Sequence, residues 1–171
     1  MGLHLKTAGV VPERVYAGCL KRQSSAALII AEQLGVEDRV MLGESALDEI
    51  DYGAWEGLTA AELKAGWPKE YADWNEASRW PEHVFAGSAE KRLAAITAWL
   101  ERLRKERAAG ESVVAVTSNG NIRFFCSFIA QYWRGLVAER RMKELKVGTG
   151  NYCEVQLFPD TLSVVCWNRE P

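Results

Sequence analysis

Three short stretches of the chain concentrate the residue types that hold and protonate oxyanions. In Gly18-Cys19-Leu20-Lys21-Arg22-Gln23 an arginine stands at a predicted helix start. Free amides and the helix dipole favour anions there, and a guanidinium can grip phosphate oxygens in pairs. Thr117-Ser118-Asn119-Gly120-Asn121-Ile122-Arg123 is a second strand-turn-helix unit, offering turn amides, the side chains of Ser118 and Asn121, and Arg123 one turn inside the helix. The stretch Leu47-Asp48-Glu49-Ile50-Asp51-Tyr52-Gly53-Ala54-Trp55-Glu56-Gly57 sets four carboxylates among aromatic residues, surroundings in which a carboxyl pKa can shift. Each stretch also has a plain reading. Arg22 reads as a solvated helix-start arginine, the second unit as a connection capped by Ser118 or Asn119, and the third as an acidic surface loop anchored by its aromatics.

The elements that must position these groups alternate between strand and helix. Val15 to Ala17 reads as a strand that turns at Gly18. From about Arg22 the apolar positions Ala26, Ala27, Leu28, Ile30, Ala31 and Leu34 give a helix, with Gly35 as its C-terminal cap. Arg39 to Leu42 follows as a strand, and residues 47 to 58 as irregular chain. Thr59-Ala60-Ala61-Glu62 is a capping box for a short helix that Gly66-Trp67-Pro68 closes. Residues 67 to 87, rich in tryptophan, read as an inserted cap in which Trp67, Tyr71 and Trp74 share helical spacing. Ser88 then opens a long helix with the stripe Leu93, Ile96, Leu100 and Leu103, ended by Gly110. Ser112 to Thr117 reads as a buried strand, Asn121 to Trp133 and Val137 to Leu145 as helices, and Cys153 to Phe158 with Leu162 to Trp167 as a hairpin around Pro159-Asp160. The expected fold class is α/β, a three-layer sandwich with a mostly parallel central sheet in one domain over residues 1–171.

In their order along the chain the three stretches resemble the histidine phosphatase (phosphoglycerate mutase-like) superfamily. Gly18-x-Leu20-x-Arg22 followed by Ala26-Ala27 is similar to S-x-L-x-R-A-x-x-T-A. Leu47-x-Glu49-x-x-x-Gly53-x-Trp55-Glu56-Gly57 is similar to L-x-E-x-x-x-G-x-W-E-G, the most specific match. Val116-Thr117-Ser118-Asn119-Gly120-x-Ile122-Arg123 is similar to V-S-H-G-G-x-I-R, and the hairpin from Asn151 to Trp167-Asn168 resembles the family's closing strands. The resemblance runs from about Leu3 onward. It implies phosphomonoesterase or mutase chemistry, with Glu49 as the acid that protonates the leaving oxygen. It also implies Arg22, Ser118, Asn119 and Arg123 around the phosphate, Ser118 standing where the family has its second histidine. The expected partner is inorganic phosphate or a small phosphorylated molecule, with no metal and no cofactor.

The chain departs from that pattern at one decisive place. The family's nucleophile is a histidine in R-H-G after its first strand, and no R-H-G occurs in these 171 residues. The sequence before Gly18 looks like the end of a helix, which puts His4 on a helix, and His83 falls in the tryptophan-rich segment. The expectation is a fold without its first central strand, inactive as it stands, whose natural gene product starts further upstream. A lost charged donor costs about 10²–10³ in rate and a lost nucleophile about 10⁴–10⁶. The alternatives are a non-catalytic phosphate-binding module and a dimerisation module, so a homodimer is among the expected states.

Composition narrows the rest. Twenty-one Lys+Arg against 23 Asp+Glu leave a formal net charge of -2, with no general attraction to nucleic acid or an anionic membrane. The chain shows neither a signal-peptide pattern nor a membrane-length apolar run. Four scattered cysteines without a C-x-x-C pair fit a cytoplasmic protein with reduced thiols, though Cys153 and Cys166 fall on neighbouring strands. No cysteine starts a C-x₅-R, and the P-loop, the third glycine of a dinucleotide fingerprint and G-x-S-x-G around Ser118 are all missing. Arg140, Arg141, Lys143 and Lys146 read as a solvated basic helix face.

Overall fold

Strand β1 (Arg14–Ala17) sends alternate side chains to opposite faces, and this period of two builds the layers. Val15 and Ala17 pack on Ala27 and Ala31 of helix α2 (Lys21–Leu34). Tyr16 faces the other way, into a cluster with Ile96, Trp99, Leu100 and Leu103 of helix α5 (Ala89–Glu106). The Tyr16 and Trp99 rings meet edge to face at 5.7 Å. Helices on both faces of a parallel sheet make the expected three-layer α/β arrangement. The computed structural model describes the chain except for residues 109, 130–133, 137, 140 and 160.

The sheet has the order β2-β1-β3, all parallel. Val15 stands opposite Val40 of β2 (Val40–Met41) and opposite Val114 of β3 (Val113–Val116). The hairpin β4 (Tyr152–Leu157) and β5 (Leu162–Arg169) forms a separate antiparallel pair. Helix α1 (Gly2–Thr7) lies on α2, and its His4 ring sits 5.1 Å from Tyr152 of the hairpin.

Several local expectations hold. Gly35 adopts φ 71° beyond the end of α2, a conformation that costs glycine no Cβ clash. Thr59 and Glu62 form the reciprocal capping box of α3 (Ala60–Gly66), and Ser88 caps α5 through the Lys91 amide. Others differ. β2 is only two residues long, because Glu37–Arg39 form a 3₁₀ turn before it. Pro68 opens a further helix, α4 (Pro68–Ala77), where its ring fits the first turn. α5 buries Trp99, while Leu93 at the helix start is only half-buried.

The strand at 113–116 is half-exposed, with Ala115 open, because β1 is its one strand neighbour among the described residues. The helix expected from Asn121 is instead α6 (Asn119–Phe125), followed by a 3₁₀ turn at Cys126–Phe128. The expected helix end at Trp133, the positions Val137 and Arg140, and the hairpin residue Asp160 lie outside the described residues. Of the expected helix at 137–145, Met142–Leu145 is a 3₁₀ turn. All four cysteines are free thiols.

Candidate phosphate site

Parallel neighbours end at the same edge of a sheet, so the turns after β1 and β3 emerge side by side. Gly18 leaves β1 so closely packed that a Cβ there would fall 2.3 Å from Gln23 Oε1 and 2.8 Å from Asp48 Oδ1. The Cys19 amide donates to Asp48 Oδ1 at 2.5 Å, bringing the 44–58 loop onto the start of α2. Side chains from α2, the end of β3, α6 and α5 hold that loop. The Leu47 carbonyl accepts from Gln23 Nε2 and Thr117 Oγ1, each at 2.8 Å, and the Ala46 carbonyl accepts from Asn121 Nδ2 at 2.9 Å. From α5, Arg92 donates to the carbonyls of Ser45, Asp48 and Glu49 at 3.2–3.3 Å.

These ties bring Arg22, Glu49 and Ser118 together. Ser118 Oγ accepts from Gln23 Nε2 at 2.9 Å and lies 3.5 Å from Arg22 Nη2. Arg22 Nη2 is 3.8 Å from Glu49 Oε2, with the arginine side chain 63% exposed and the glutamate side chain 17%. A serine hydroxyl that accepts from two donors keeps its own hydrogen available to an incoming anion. The exposed guanidinium likewise has N–H groups to spare. Burial raises the Glu49 carboxyl above the ordinary carboxylate range, against the Ile50 amide at 3.0 Å, the charge of Arg22, the Asn121 amide and the charge of Arg92. A carboxyl so placed holds a proton to higher pH than a free one and can supply it to a neighbouring oxygen. Tyr52 is raised too, by burial and then by the Glu49 charge. Gly120 closes the site: a Cβ there would lie 2.5 Å from Tyr52 Oη and 2.6 Å from Glu49 Oε1.

Two of the expected phosphate ligands are engaged elsewhere. Asn119 donates its side-chain amide to the Val147 carbonyl. Arg123 is only 6% exposed; its Nη1 donates to the Trp74 carbonyl at 2.9 Å and its guanidinium lies 4.6 Å over the Trp74 ring. One turn into α6, the arginine points at the aromatic segment, while its charge still interacts with Tyr52 and Glu49. Ser118 occupies the N-cap position but makes no side-chain cap bond, since its oxygen is taken by Gln23 and Arg22. Neither histidine joins the group: His4 packs on Tyr152, and His83 is exposed in the loop before Val84. Arg141 of the expected basic face pairs with Glu139 and Glu144. Among the described residues no cluster of His, Cys, Asp or Glu could hold a metal ion.

Sequence reasoning missed Gln23, Tyr52 and Arg92. Gln23 left a signal, because it falls on the sheet-facing stripe of α2 with Ala27, Ile30 and Ala31 and is 2% exposed. A polar residue on an apolar stripe needs partners. Arg92 left none, since an arginine early in an amphipathic helix reads as solvated.

Residues 3–170 match the family model of the histidine phosphatase superfamily (branch 1). A 2,3-bisphosphoglycerate-dependent phosphoglycerate mutase of Bartonella quintana (strain Toulouse) is 36% identical over 69 residues, 40% of this chain and 34% of that protein. Phosphoserine phosphatase 1 of Hydrogenobacter thermophilus is 27% identical over 124 residues, 70% of this chain and 57% of that protein. The chain thus spans about a third to somewhat over half of the length of these relatives. Among solved structures, a mycobacterial glucosyl-3-phosphoglycerate phosphatase superposes with a TM-score of 0.75 at 19% identity, over 99% of this chain and 83% of that one. A mycobacterial hydrolase superposes with a TM-score of 0.70 at 20% identity, over 94% of this chain and 78% of that one. The strand-end meeting of Arg22, Glu49 and Ser118 therefore sits in a chain that belongs to the histidine phosphatase superfamily, branch 1.

Proposed function

We propose that this chain binds the phosphate of a small phosphorylated metabolite between Arg22 and Ser118, with Glu49 as the proton-holding group, and that alone it does not turn the ester over. The observation that carries this reading is the Arg22 guanidinium within 3.5 Å of Ser118 Oγ and 3.8 Å of Glu49 Oε2 at the edge where β1 and β3 end. A cation, a hydroxyl hydrogen and a carboxyl whose hold on a proton is strengthened by burial suit a phosphate group and its departing oxygen. No side chain there can attack phosphorus as a histidine would, because both histidines of these 171 residues lie elsewhere. The names of the relatives, a glucosyl-3-phosphoglycerate phosphatase, a phosphoserine phosphatase and a bisphosphoglycerate-dependent mutase, support a small phosphorylated metabolite as the ligand.

Titration with inorganic phosphate followed by ³¹P NMR tests the site. The parent chain is expected to bind and Arg22→Ala to lose binding by about tenfold or more, the value of a charge-assisted pair. Aryl phosphate turnover is expected at background. Phosphate binding unchanged in Arg22→Ala, or turnover that survives Glu49→Gln and Arg22→Ala, overturns the assignment.

Among the described residues β3 pairs on one side only, which favours a second reading, self-association through that edge. A monomeric mass at micromolar concentration counts against it. Four free cysteines support a cytoplasmic setting, and no described helix is long and apolar enough to cross a membrane.

A further inference from the structure

We propose that the aromatic-walled cleft next to the phosphate site receives an organic cation, an alkylammonium group carried by the same phosphorylated ligand. The reading of Arg22 as the phosphate ligand supplies the second half of this joint site. Tyr52, Trp55, Tyr71 and Trp74 wall a cleft of about 180 Å³ that Leu63 closes from α3 and Glu56 borders. That volume is several times the ~30 Å³ share of one water molecule, room enough for a methylated ammonium head. Ring faces carry negative quadrupole charge and attract cations, most strongly where water is excluded. Two rings of this wall already hold cations from the chain: Arg123 lies 4.6 Å over Trp74 and Lys64 Nζ 5.6 Å over Tyr71.

Charge at the border points the same way. Asp73 is paired with Lys69 and Arg79, and Glu62 is spent on the Thr59 cap. Glu56 accepts one bond from the Tyr52 amide at 3.1 Å and makes no ion pair with any described residue. An anion meets ring faces and a carboxylate here, and a neutral ring gains nothing from Glu56. A compact cation uses both. Tyr52 joins the two sites, since it lines this cleft and its hydroxyl lies beside Gly120 and the Glu49 carboxylate. The length of the Tyr52 side chain thus sets the tether that a ligand reaching from ammonium to phosphate needs.

Choline chloride, followed by tryptophan fluorescence at constant ionic strength, is the first probe, and 3,3-dimethyl-1-butanol is its uncharged counterpart. Choline is expected to bind at least about tenfold tighter than the alcohol. Glu56→Gln keeps an acceptor for the Tyr52 amide and is expected to weaken choline about fivefold while leaving the alcohol unchanged. Tyr71→Leu is expected to weaken choline as well. Phosphocholine is expected to bind tighter than choline in the parent and equally in Arg22→Ala. Equal affinity for choline and the alcohol, or choline binding indifferent to both cleft variants, overturns the cation site. Phosphocholine no tighter than choline in the parent, with inorganic phosphate still bound, overturns the joint site alone. Because choline is read without Arg22, loss of phosphate binding and loss of cation binding remain separate results.

Discussion

Gly120→Ala is the substitution whose outcome the geometry determines most closely. A Cβ at this position would lie 2.5 Å from Tyr52 Oη, 2.6 Å from Glu49 Oε1 and 2.8 Å from Ile50 Cγ1. All three are side-chain atoms of one stretch of loop, so a single added methyl must displace the Tyr52, Glu49 and Ile50 side chains by the better part of an ångström. The loop is poorly placed to yield, because Arg92, Gln23, Thr117 and Asn121 hold its carbonyls and Ile50 is 2% exposed. Overpacking of this kind costs about 1–3 kcal/mol. Alanine returns up to about 1 kcal/mol in a helix interior, and less in the first turn of α6. The net expectation is a loss of about 1–2 kcal/mol, or roughly 2–8 °C in Tm for a chain of this size. Phosphate binding should weaken in parallel, because Glu49 moves relative to Arg22. Gly66→Ala serves as the reference: Gly66 ends α3, lacks a positive φ and has open space where the Cβ would go. It is expected to be neutral or up to about 1 kcal/mol stabilising. Thermal unfolding of both variants settles the matter. If Gly120→Ala melts no lower than the parent, the close approach of loop and helix does not exist as described.

Gln23→Leu removes donors from Leu47 O and Ser118 Oγ and the acceptor of the Leu20 amide, for an expected loss of about 1–3 kcal/mol in the urea midpoint. An unchanged midpoint would mean that the amide network carries no stability. The raised Glu49 carboxyl makes the folded chain bind more protons than the unfolded one between the unfolded value near 4.3 and the higher folded value. Its contribution is therefore most favourable below that window and falls as pH rises through it. Glu49→Gln should gain stability relative to the parent from about pH 4 toward neutrality, and a pH-independent difference in urea titrations would refute the buried carboxyl. Arg92→Lys replaces a fork by a point donor that cannot reach three carbonyls, with an expected loss of about 1–2 kcal/mol and faster amide exchange over 45–50.

Signals contained within a few neighbouring residues were legible in the chain. The Thr59–Glu62 box, the Ser88 cap, the turn at Gly35 and the alternation of β1 are local chemistry, and the structure realises them. The L-x-E-x-x-x-G-x-W-E-G stretch likewise brought Glu49 to the strand ends beside Arg22. What could not be read depends on distant partners. The apolar run Val113–Val116 looks buried, but burial of a strand needs neighbours on both sides, and sequence does not count neighbours. Arg123 was expected at phosphate because its motif position fits. A helix turns each side chain by about 100°, and this one reaches the Trp74 carbonyl of another helix instead. Arg92 escaped notice for a related reason, since its three acceptors lie 43 to 47 residues earlier in the chain.

That long reach sets a rule for how the pocket can change. The backbone carbonyl of Glu49 is gripped by a side chain from α5, whose own position is fixed by Ile96, Trp99, Leu100 and Leu103 packed beneath the sheet. Substitutions in that helix core, far from any ligand, will retune where Glu49 stands by sliding its anchor. Selection for a different ligand therefore has a mechanical handle that leaves every contact residue untouched.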